Sequence, residues 1–347
     1  RSRSMYSVPH LKNGIFSIRH CCYITGKVKF MRIYNVMFDI TDNCNFRCNH
    51  CYKNFDDTPI DLDYDRVLHF LNQLEASGYH PNIVISGGEP LLYPQIVPLL
   101  NALGGKYNIR INTNGLFLDK YLTAFLNVQN LKIQISLDGY DSATFFAVRN
   151  NFNFEKIIQN AKLAHDAGLN VYFRATLTSK TYDKYENFFD LSHRIGIPLV
   201  LRPMVNTGED RQQNLSIGYE TLVHWCEEIA QKDYFVWTGG RNILSENACP
   251  LQRNIISILT VDNKGNVYPC SLLRGKHFYM GNINTDTLEK ILSHAETAFN
   301  EVTKILNSRS CQACGFRKQI GDGTCIASCY FGNKKCVGLK IKGCDVE

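Results

Sequence analysis

"DITDNCNFRCNHCYKNF", residues 39–55, places Cys44, Cys48 and Cys51 within eight residues, with no fourth cysteine in reach. Thiolates are soft ligands that select zinc, copper(I) or iron–sulfur clusters. A closed structural zinc site needs four ligands. His50, between Cys48 and Cys51, supplies a fourth on paper, but so tight a loop wraps one tetrahedral ion awkwardly. Three thiolates can instead hold three corners of a [4Fe–4S] cube and leave the fourth iron open to a small molecule. Three unligated, buried thiols are the plain alternative.

The flanking sequence decides the fold. The cysteine loop directly follows "YNVMFDIT" (34–41), an apolar run of strand type. Similar runs recur at "NIVIS" (82–86), "NIRINT" (108–113), "KIQISL" (132–137), "NVYFRATL" (170–177) and "PLVLRPM" (198–204). Helix-period segments separate them, such as "DYDRVLHFLNQLEASG" and "FEKIIQNAKLAHDAG", each closing on a glycine suited to a helix C-terminus. Six strand–helix units predict a parallel sheet with right-handed crossovers. They fall short of a closed eight-stranded barrel, so the expected fold is α/β, an open, partial (β/α)6 TIM-like barrel.

In such barrels chemistry sits at the C-terminal ends of the strands. The cysteine loop follows the first strand, "SGGEP" the second, "TNG" the third, "LDG" the fourth and Arg202 the sixth. Arg174, Arg202 and Asn206 are expected to face the cavity, with no chemical role assigned. After about residue 240 the alternation stops. "IISILTVDNKGNVYPC" predicts a hairpin turning at Asn263-Lys264-Gly265. A helix at about 286–306 and a cysteine-, glycine- and lysine-rich tail follow. The expected division is an N-terminal segment 1–33, the barrel 34–238 and a cysteine-rich extension 239–347.

Composition narrows the class. The net charge of +6 comes from 38 basic and 32 acidic side chains without any basic run, which argues against nucleic acid as a main partner. No run approaches 18 apolar residues, and "LLYPQIVPLL" holds two prolines, so no membrane span is expected. "RSRSMYSVPHLKNG" lacks the apolar core of a secretory signal, and the four residues before Met5 read as a cloning remnant. The expected compartment is the cytoplasm. Fourteen cysteines are too few for a disulfide-built scaffold of 347 residues. Three lie at 44–51 and eight between 249 and 344, and clustered thiols in a cytosolic chain read first as metal ligands.

C-x3-C-x2-C directly after the first strand resembles the signature of the radical S-adenosylmethionine (SAM) enzymes, the more so with "GGEP" after the second. The resemblance implies that Cys44, Cys48 and Cys51 hold a [4Fe–4S] cluster. It implies that the backbone of Gly87 and Gly88 and the side chain of Glu89 bind the methionyl amine. Adjacent glycines let backbone approach a ligand closely, and Glu89 can accept hydrogen bonds from an ammonium. Ser136, ending the fourth strand, and Arg149, in "FFAVRNNFNFE", match positions that contact the SAM carboxylate and ribose. His50 matches a position beside the cluster and adenine. In the family, the SAM amino and carboxylate groups chelate the open iron, and one electron cleaves a C–S bond. The resulting 5′-deoxyadenosyl radical takes hydrogen from an unactivated carbon, with the protein supplying position and exclusion of solvent. The missing fourth cysteine is then where SAM binds.

Cys249 and Cys270 stand in a C-x15-G-x4-C pattern around Gly265, followed by Cys311, Cys314, Cys325, Cys329, Cys336 and Cys344. This resembles the SPASM extension of peptide-modifying radical SAM enzymes, which carries two auxiliary [4Fe–4S] clusters, three clusters in all. The resemblance assigns Cys249, Cys270 and Cys329 to the inner cluster, with an open or non-cysteine fourth site. It assigns Cys311, Cys314, Cys325 and Cys344 to the outer one, where Cys336 competes with Cys344. The ten residues between Cys314 and Cys325, "GFRKQIGDGT", exceed the family's usual five and read as a local insertion. A zinc ribbon is the alternative reading of this tail. Cys21, Cys22 and Cys226 are expected to be structural or free.

Sulfatase-maturating members carry an aspartate, proposed as a base, after the last cysteine of the G-x4-C motif; here it is Ser271. The departure argues against simple dehydrogenation of a serine or cysteine side chain. It leaves room for a carbon–carbon, thioether or ether cross-link in a ribosomally synthesised peptide, with the auxiliary clusters accepting an electron. Only about 33 residues precede the first strand, fewer than the leader-binding domain of many such maturases. A precursor peptide would therefore meet the core, the extension or a separate protein. Flavodoxin or ferredoxin is the reductant the resemblance implies. Two other readings stay open: the same machinery acting on a small metabolite or on a residue of a protein substrate, and a zinc-stabilised interaction protein.

Overall fold

The computed structural model describes residues 21–24, 27–53, 58–204, 215, 217, 236–238, 251 and 255–307. Cys226, Cys249, Cys311, Cys314, Cys325, Cys329, Cys336, Cys344 and Asn206 lie outside the described residues. The first described elements are two short antiparallel strands, β1 (Cys21–Ile24) and β2 (Lys27–Phe30), followed by β3 (Arg32–Ile33).

Six parallel strands then run side by side in chain order: β4 (Asn35–Asp39), β5 (Asn82–Ser86), β6 (Ile109–Thr113), β7 (Leu131–Ser136), β8 (Asn170–Leu177) and β9 (Leu199–Pro203). These are the six strands the sequence predicts. β10 (Val236–Thr238) extends the sheet beyond β9, and β11 (Ile255–Ile256) pairs with β3. β12 (Leu259–Val261) pairs in parallel with β4, and β13 (Asn266–Tyr268) and β14 (Gly281–Asn282) continue antiparallel beyond it. Among the described residues this sheet has ten strands and leaves two edges, β10 and β14, so the barrel is open.

The helices that join the strands bury one stripe each. Helix α1 (Tyr64–Ala76) buries Val67, Phe70, Leu71 and Leu74, spaced for one face of a 3.6-residue period. Asp63 caps its start by accepting from the Arg66 N–H at 2.9 Å, and Gly78 leaves it at φ +76°. Phe70 meets Phe38 of β4 edge-on, with ring centroids 6.4 Å apart. Truncating such a buried phenylalanine to alanine costs about 3–5 kcal/mol, so this contact fixes the strand that ends in the cysteine loop. The other joining helices are α2 (Ile96–Leu103), α3 (Leu122–Leu126), α4 (Ser142–Arg149), α5 (Phe154–Asp166) and α6 (Glu186–Ile195).

Helix α4 returns a side chain to the strand ends. Its first turn is closed by a capping box between Asp141 and Thr144. It sits directly on Gly139, where a Cβ would lie 2.1 Å from the Phe145 nitrogen. Only a residue without a side chain admits this approach, which brings Arg149 at the last turn back over the sheet.

The C-terminal hairpin forms where predicted. Gly265 adopts φ +84°, and Asp262 Oδ1 accepts from the N–H groups of Lys264 and Asn266, both at 2.9 Å. Its strand β12 is bonded to β4, so the sheet runs past the position near 239 where the sequence alternation ends. That pairing covers what would be an exposed edge of the first barrel strand. The helix predicted at 286–306 is two helices, α7 (Leu288–Ser293) and α8 (Ala295–Leu306). The break falls at His294, whose Nδ1 lies 2.9 Å from the Met280 carbonyl oxygen and so ties the junction to the segment before β14. Among the described residues no helix is long and apolar enough to cross a membrane.

Candidate functional site: a cavity at the C-terminal strand ends

Cys44, Cys48, Cys51, His50, Gly87, Gly88, Glu89, Ser136 and Arg149 all line one cavity at the C-terminal ends of the parallel strands. Cys48 is buried, and Cys44 and Cys51 are half-buried. Each sulfur faces a donor. The Phe46 N–H reaches Cys44 Sγ at 3.5 Å, the Lys53 N–H reaches Cys51 Sγ at 3.4 Å, and Arg149 Nη1 reaches Cys48 Sγ at 3.7 Å. Burial pushes the Cys44 thiol up to about 12 and raises Cys48 as well. A bound metal reverses that balance, because a coordinating thiol is deprotonated outright.

The donor set fits a cluster better than a single ion. Among the described residues, no three His, Cys, Asp or Glu side chains are gathered so as to hold one ion. His50, the fourth ligand of the zinc reading, turns its Nε2 to Asp138 Oδ2 at 3.4 Å instead. Burial, with Arg149 nearby, keeps its pKa below the usual histidine value. Three sulfurs that lie apart, each with a donor and all lining one cavity, fit a group larger than a single ion and would hold a [4Fe–4S] cluster there.

The two glycines serve a purpose the sequence does not reveal. A Cβ on Gly87 would lie 2.4 Å from the Thr41 carbonyl oxygen, and one on Gly88 would lie 2.2 Å from that of Asn43. Gly88 N–H donates to Thr41 O and Glu89 N–H to Asn43 O, both at 2.7 Å. The close approach is to the backbone just before Cys44, so the pair clamps the end of β5 onto the cysteine loop. Glu89 is 1% exposed. Its carboxylate accepts from Leu91 N–H (3.0 Å), Thr113 Oγ1 (2.6 Å) and Asn114 N–H (2.7 Å). Burial nevertheless raises its pKa, which an incoming ammonium would offset.

Two aspartates that the sequence reading did not place in the site organise its walls. Asp138, in "LDG" at the end of β7, accepts from Arg149 Nε and from Thr176 N–H, both at 2.5 Å. It thereby holds Arg149 against Cys48 and orients His50. Burial favours its neutral form, but Arg149 and His50 keep its pKa below the ordinary value. Asp39, ending β4, receives Lys53 Nζ at 2.8 Å and Arg274 Nη1 at 2.5 Å. Burial would raise its pKa, yet Arg274 and Lys53 lower it to about 2. Arg274 also lies over the Tyr52 ring, 5.3 Å from its centroid.

That arginine joins two cysteine loops. Tyr52 and Lys53 follow Cys51 directly, and Arg274 stands four residues after Cys270. Cys270 Sγ accepts from the Leu272 N–H at 3.5 Å, and Leu272 lines the cavity. The Cys270 loop therefore borders the same open space as the three-cysteine loop. "LDG" was a visible signal for Asp138. Nothing local marks the Asp39–Arg274 pair, which is 235 positions apart.

The radical SAM superfamily model matches residues 38–192, and the model of SPASM, an iron–sulfur cluster-binding domain, matches residues 249–333. The chain is a radical SAM enzyme with a SPASM domain. Domains of the first kind bind a [4Fe–4S] cluster and SAM, and those of the second bind further iron–sulfur clusters. Over 332 residues it is 24% identical to the mycofactocin maturase MftC of Mycolicibacterium smegmatis, spanning 89% of this chain and 81% of that protein. The GTP 3′,8-cyclase of Staphylococcus saprophyticus is 33% identical over 150 residues, which are 40% of this chain and 44% of the relative. Among solved structures, Streptococcus suis SuiB bound to its precursor peptide SuiA superposes with a TM-score of 0.67 at 16% identity, over 86% of this chain and 73% of that one. The enzyme anSMEcpe with bound AdoMet and the Cp18Cys peptide gives 0.65 at 18% identity, over 86% and 90%.

Proposed function

We propose that this enzyme takes hydrogen from a side-chain or backbone carbon of a ribosomally synthesised peptide and closes an intramolecular carbon–carbon, thioether or ether cross-link. The observation that carries the proposal is the single cavity shared by the three-cysteine loop, the Glu89 cradle and the Cys270 loop. The similarity to a maturase along 89% of the chain supports it. The GTP cyclase match spans 150 residues only, so it bears on the shared barrel and not on the substrate.

In this reading Cys44, Cys48 and Cys51 hold the SAM cluster. Glu89, with the Gly87–Gly88 backbone, takes the methionyl amine, and Ser136, Arg149 and His50 border the rest of SAM. The group supplies a 5′-deoxyadenosyl radical when bound and reduced. The chain's residues hold the cofactor still: Asp138 fixes Arg149 and His50, and the glycine clamp fixes the cysteine loop. Cys249, Cys270 and Cys329 would serve the inner auxiliary cluster. Cys311, Cys314, Cys325 and Cys344 would serve the outer one, in an extension beginning near residue 239. A cytoplasmic flavodoxin or ferredoxin is the reductant we assign. Closing one cross-link removes two hydrogens from the peptide. One would leave as a hydrogen atom and the other as a proton, and an auxiliary cluster held by the extension's cysteines would supply the acceptor for the electron left behind.

Anaerobic reconstitution tests this. Iron and acid-labile sulfide should both be present, and dithionite should drive SAM to 5′-deoxyadenosine. A short peptide encoded beside the gene should lose two hydrogens by mass. Zinc without labile sulfide would sink the radical reading, and 5′-deoxyadenosine without any change in the peptide would sink the cross-linking one.

A further inference from the structure

Deeper in the barrel the inner face of the sheet changes character. Side chains along a strand alternate between faces. Asn112 of β6 lines the cavity, so Arg110, two residues earlier, lies on the same face one layer deeper. Strand pairing sets Ser136 beside Arg174 and Thr176 beside Arg202, and these four line the cavity. Three guanidinium groups, from β6, β8 and β9, thus share one lumen. They act on each other: burial and Arg110 hold Arg174 below the usual arginine value, and burial, Arg174 and Arg110 bring Arg202 down to about 10.

For Arg110 and Arg174 no balancing anion stands free among the described residues. Asp138, the carboxylate that acts on Arg174, is already engaged by Arg149 and the Thr176 N–H. Among the described residues neither Arg110 nor Arg174 carries an ion pair, and Arg110 Nε is buried without a hydrogen-bond partner. Asn112 Oδ1, on the same face of the same strand, is buried and unpartnered as well. Buried donors and acceptors left open cost free energy, and buried unpaired charge costs more.

We propose that Arg110 and Arg174, with Arg202 beside them, form a receptor for a carboxylate of the peptide substrate, while Asn112 Oδ1 accepts a backbone N–H of the same peptide. The inference rests on the peptide reading above. Guanidinium forks match carboxylate geometry and bind it through charge-assisted hydrogen bonds. An acceptor beside those donors calls for a ligand that carries an N–H close to its carboxylate, as a peptide does. The carboxylate has two possible sources, an acidic side chain or the C-terminus.

The test uses anaerobically reconstituted full-length enzyme with SAM and three fluorescent hexapeptides. The first is acetyl-Gly-Gly-Gln-Gly-Gly-Tyr-amide, the second has Glu in place of Gln, and the third keeps Gln but ends in a free acid. One of the two anionic peptides should bind about tenfold tighter or more than the neutral one, and which one does so identifies the source. The preference should shrink in Arg110→Gln and vanish in Arg110→Gln/Arg174→Gln. SAM affinity is measured in parallel, because Arg174 neighbours Ser136. Equal binding of all three peptides overturns the receptor, and so does a preference that survives in the double variant. An unfolded double variant leaves the decision to Arg110→Gln and Arg110→Lys, which must separate if the fork is used. Glutarate serves as a fourth probe. If it binds as tightly as the acidic peptide, the anion site stands and the peptide reading falls. If the preference holds but no 5′-deoxyadenosine forms, the radical reading falls alone.

Discussion

The rim and the floor of the cavity are built on opposite terms. At the rim, Asp138 and Asp39 are each paired with cations of the chain itself, and Glu89 is held by three hydrogen-bond donors. On the floor, Arg110 and Arg174 face one another with no anion between them among the described residues. A rim whose carboxylates are all held in place by internal donors suits a cofactor that is always in the same place. A floor left with excess charge suits a molecule that arrives and leaves. The cost of that excess is borne by the empty enzyme, as expected where binding and stability compete.

The rim is where substitutions should do the most damage. Replacing Cys44, Cys48 and Cys51 with alanine should remove about four irons per chain and abolish 5′-deoxyadenosine formation, with the remaining iron left in place. If the iron content does not change, the cluster assignment is wrong. Gly88→Ala should come next, since its Cβ would press on a backbone oxygen at 2.2 Å that cannot swing aside. We expect a stability loss of about 3 kcal/mol or more by urea titration, together with lowered iron uptake, because the displaced backbone leads straight into Cys44. A clamp that merely faced SAM would instead raise the KM for SAM and leave stability alone.

Asp39 offers a pH test of the link between the two cysteine loops. Its pKa in the folded chain, about 2, lies below its ordinary value of 3.8. Its contribution is therefore present above about pH 4 and is lost as pH falls toward 2, about 2 kcal/mol in all. Asp39→Asn should flatten that part of the acid limb relative to wild type, and Arg274→Gln should do the same. An unchanged acid limb in both variants would mean that the pair contributes nothing to stability.

How legible was this in the sequence? Strand alternation and the C-x3-C-x2-C loop carried the barrel and the position of the cavity, because a parallel strand buried on both faces leaves a continuous apolar run such as "NIVIS". The glycines were visible, but their reason was not: close approach of two backbones leaves the same mark as close approach to a ligand. Asp138 stood in a strand-end triplet and could be found. The Asp39–Arg274 pair could not, since a contact between residues 235 apart depends on β12 pairing with β4, and nothing near either residue announces it. The break at His294 is of the same kind. α7 and α8 read as one helix until the chain before β14 claims the histidine.

The smallest expected effect, that of Arg110→Gln, separates rim from floor most sharply when it is set against Arg149→Gln. Arg149→Gln strips Asp138 of its main partner and leaves a carboxylate, 1% exposed, without its counter-charge. Breaking a buried pair on one side costs about 3–5 kcal/mol, so its urea midpoint should fall clearly. Arg110→Gln removes a cation that has no ion pair among the described residues and that lies near two like charges. It relieves repulsion and desolvation and sacrifices no ion pair, so the unliganded enzyme should hold its midpoint or gain a little. The two substitutions are chemically identical, at a residue that lines the cavity and at one a layer beneath it; what differs is the surroundings of the guanidinium. If Arg110→Gln destabilises as much as Arg149→Gln, the floor arginine is a brace of the barrel wall, and the contrast between a finished rim and an open floor fails.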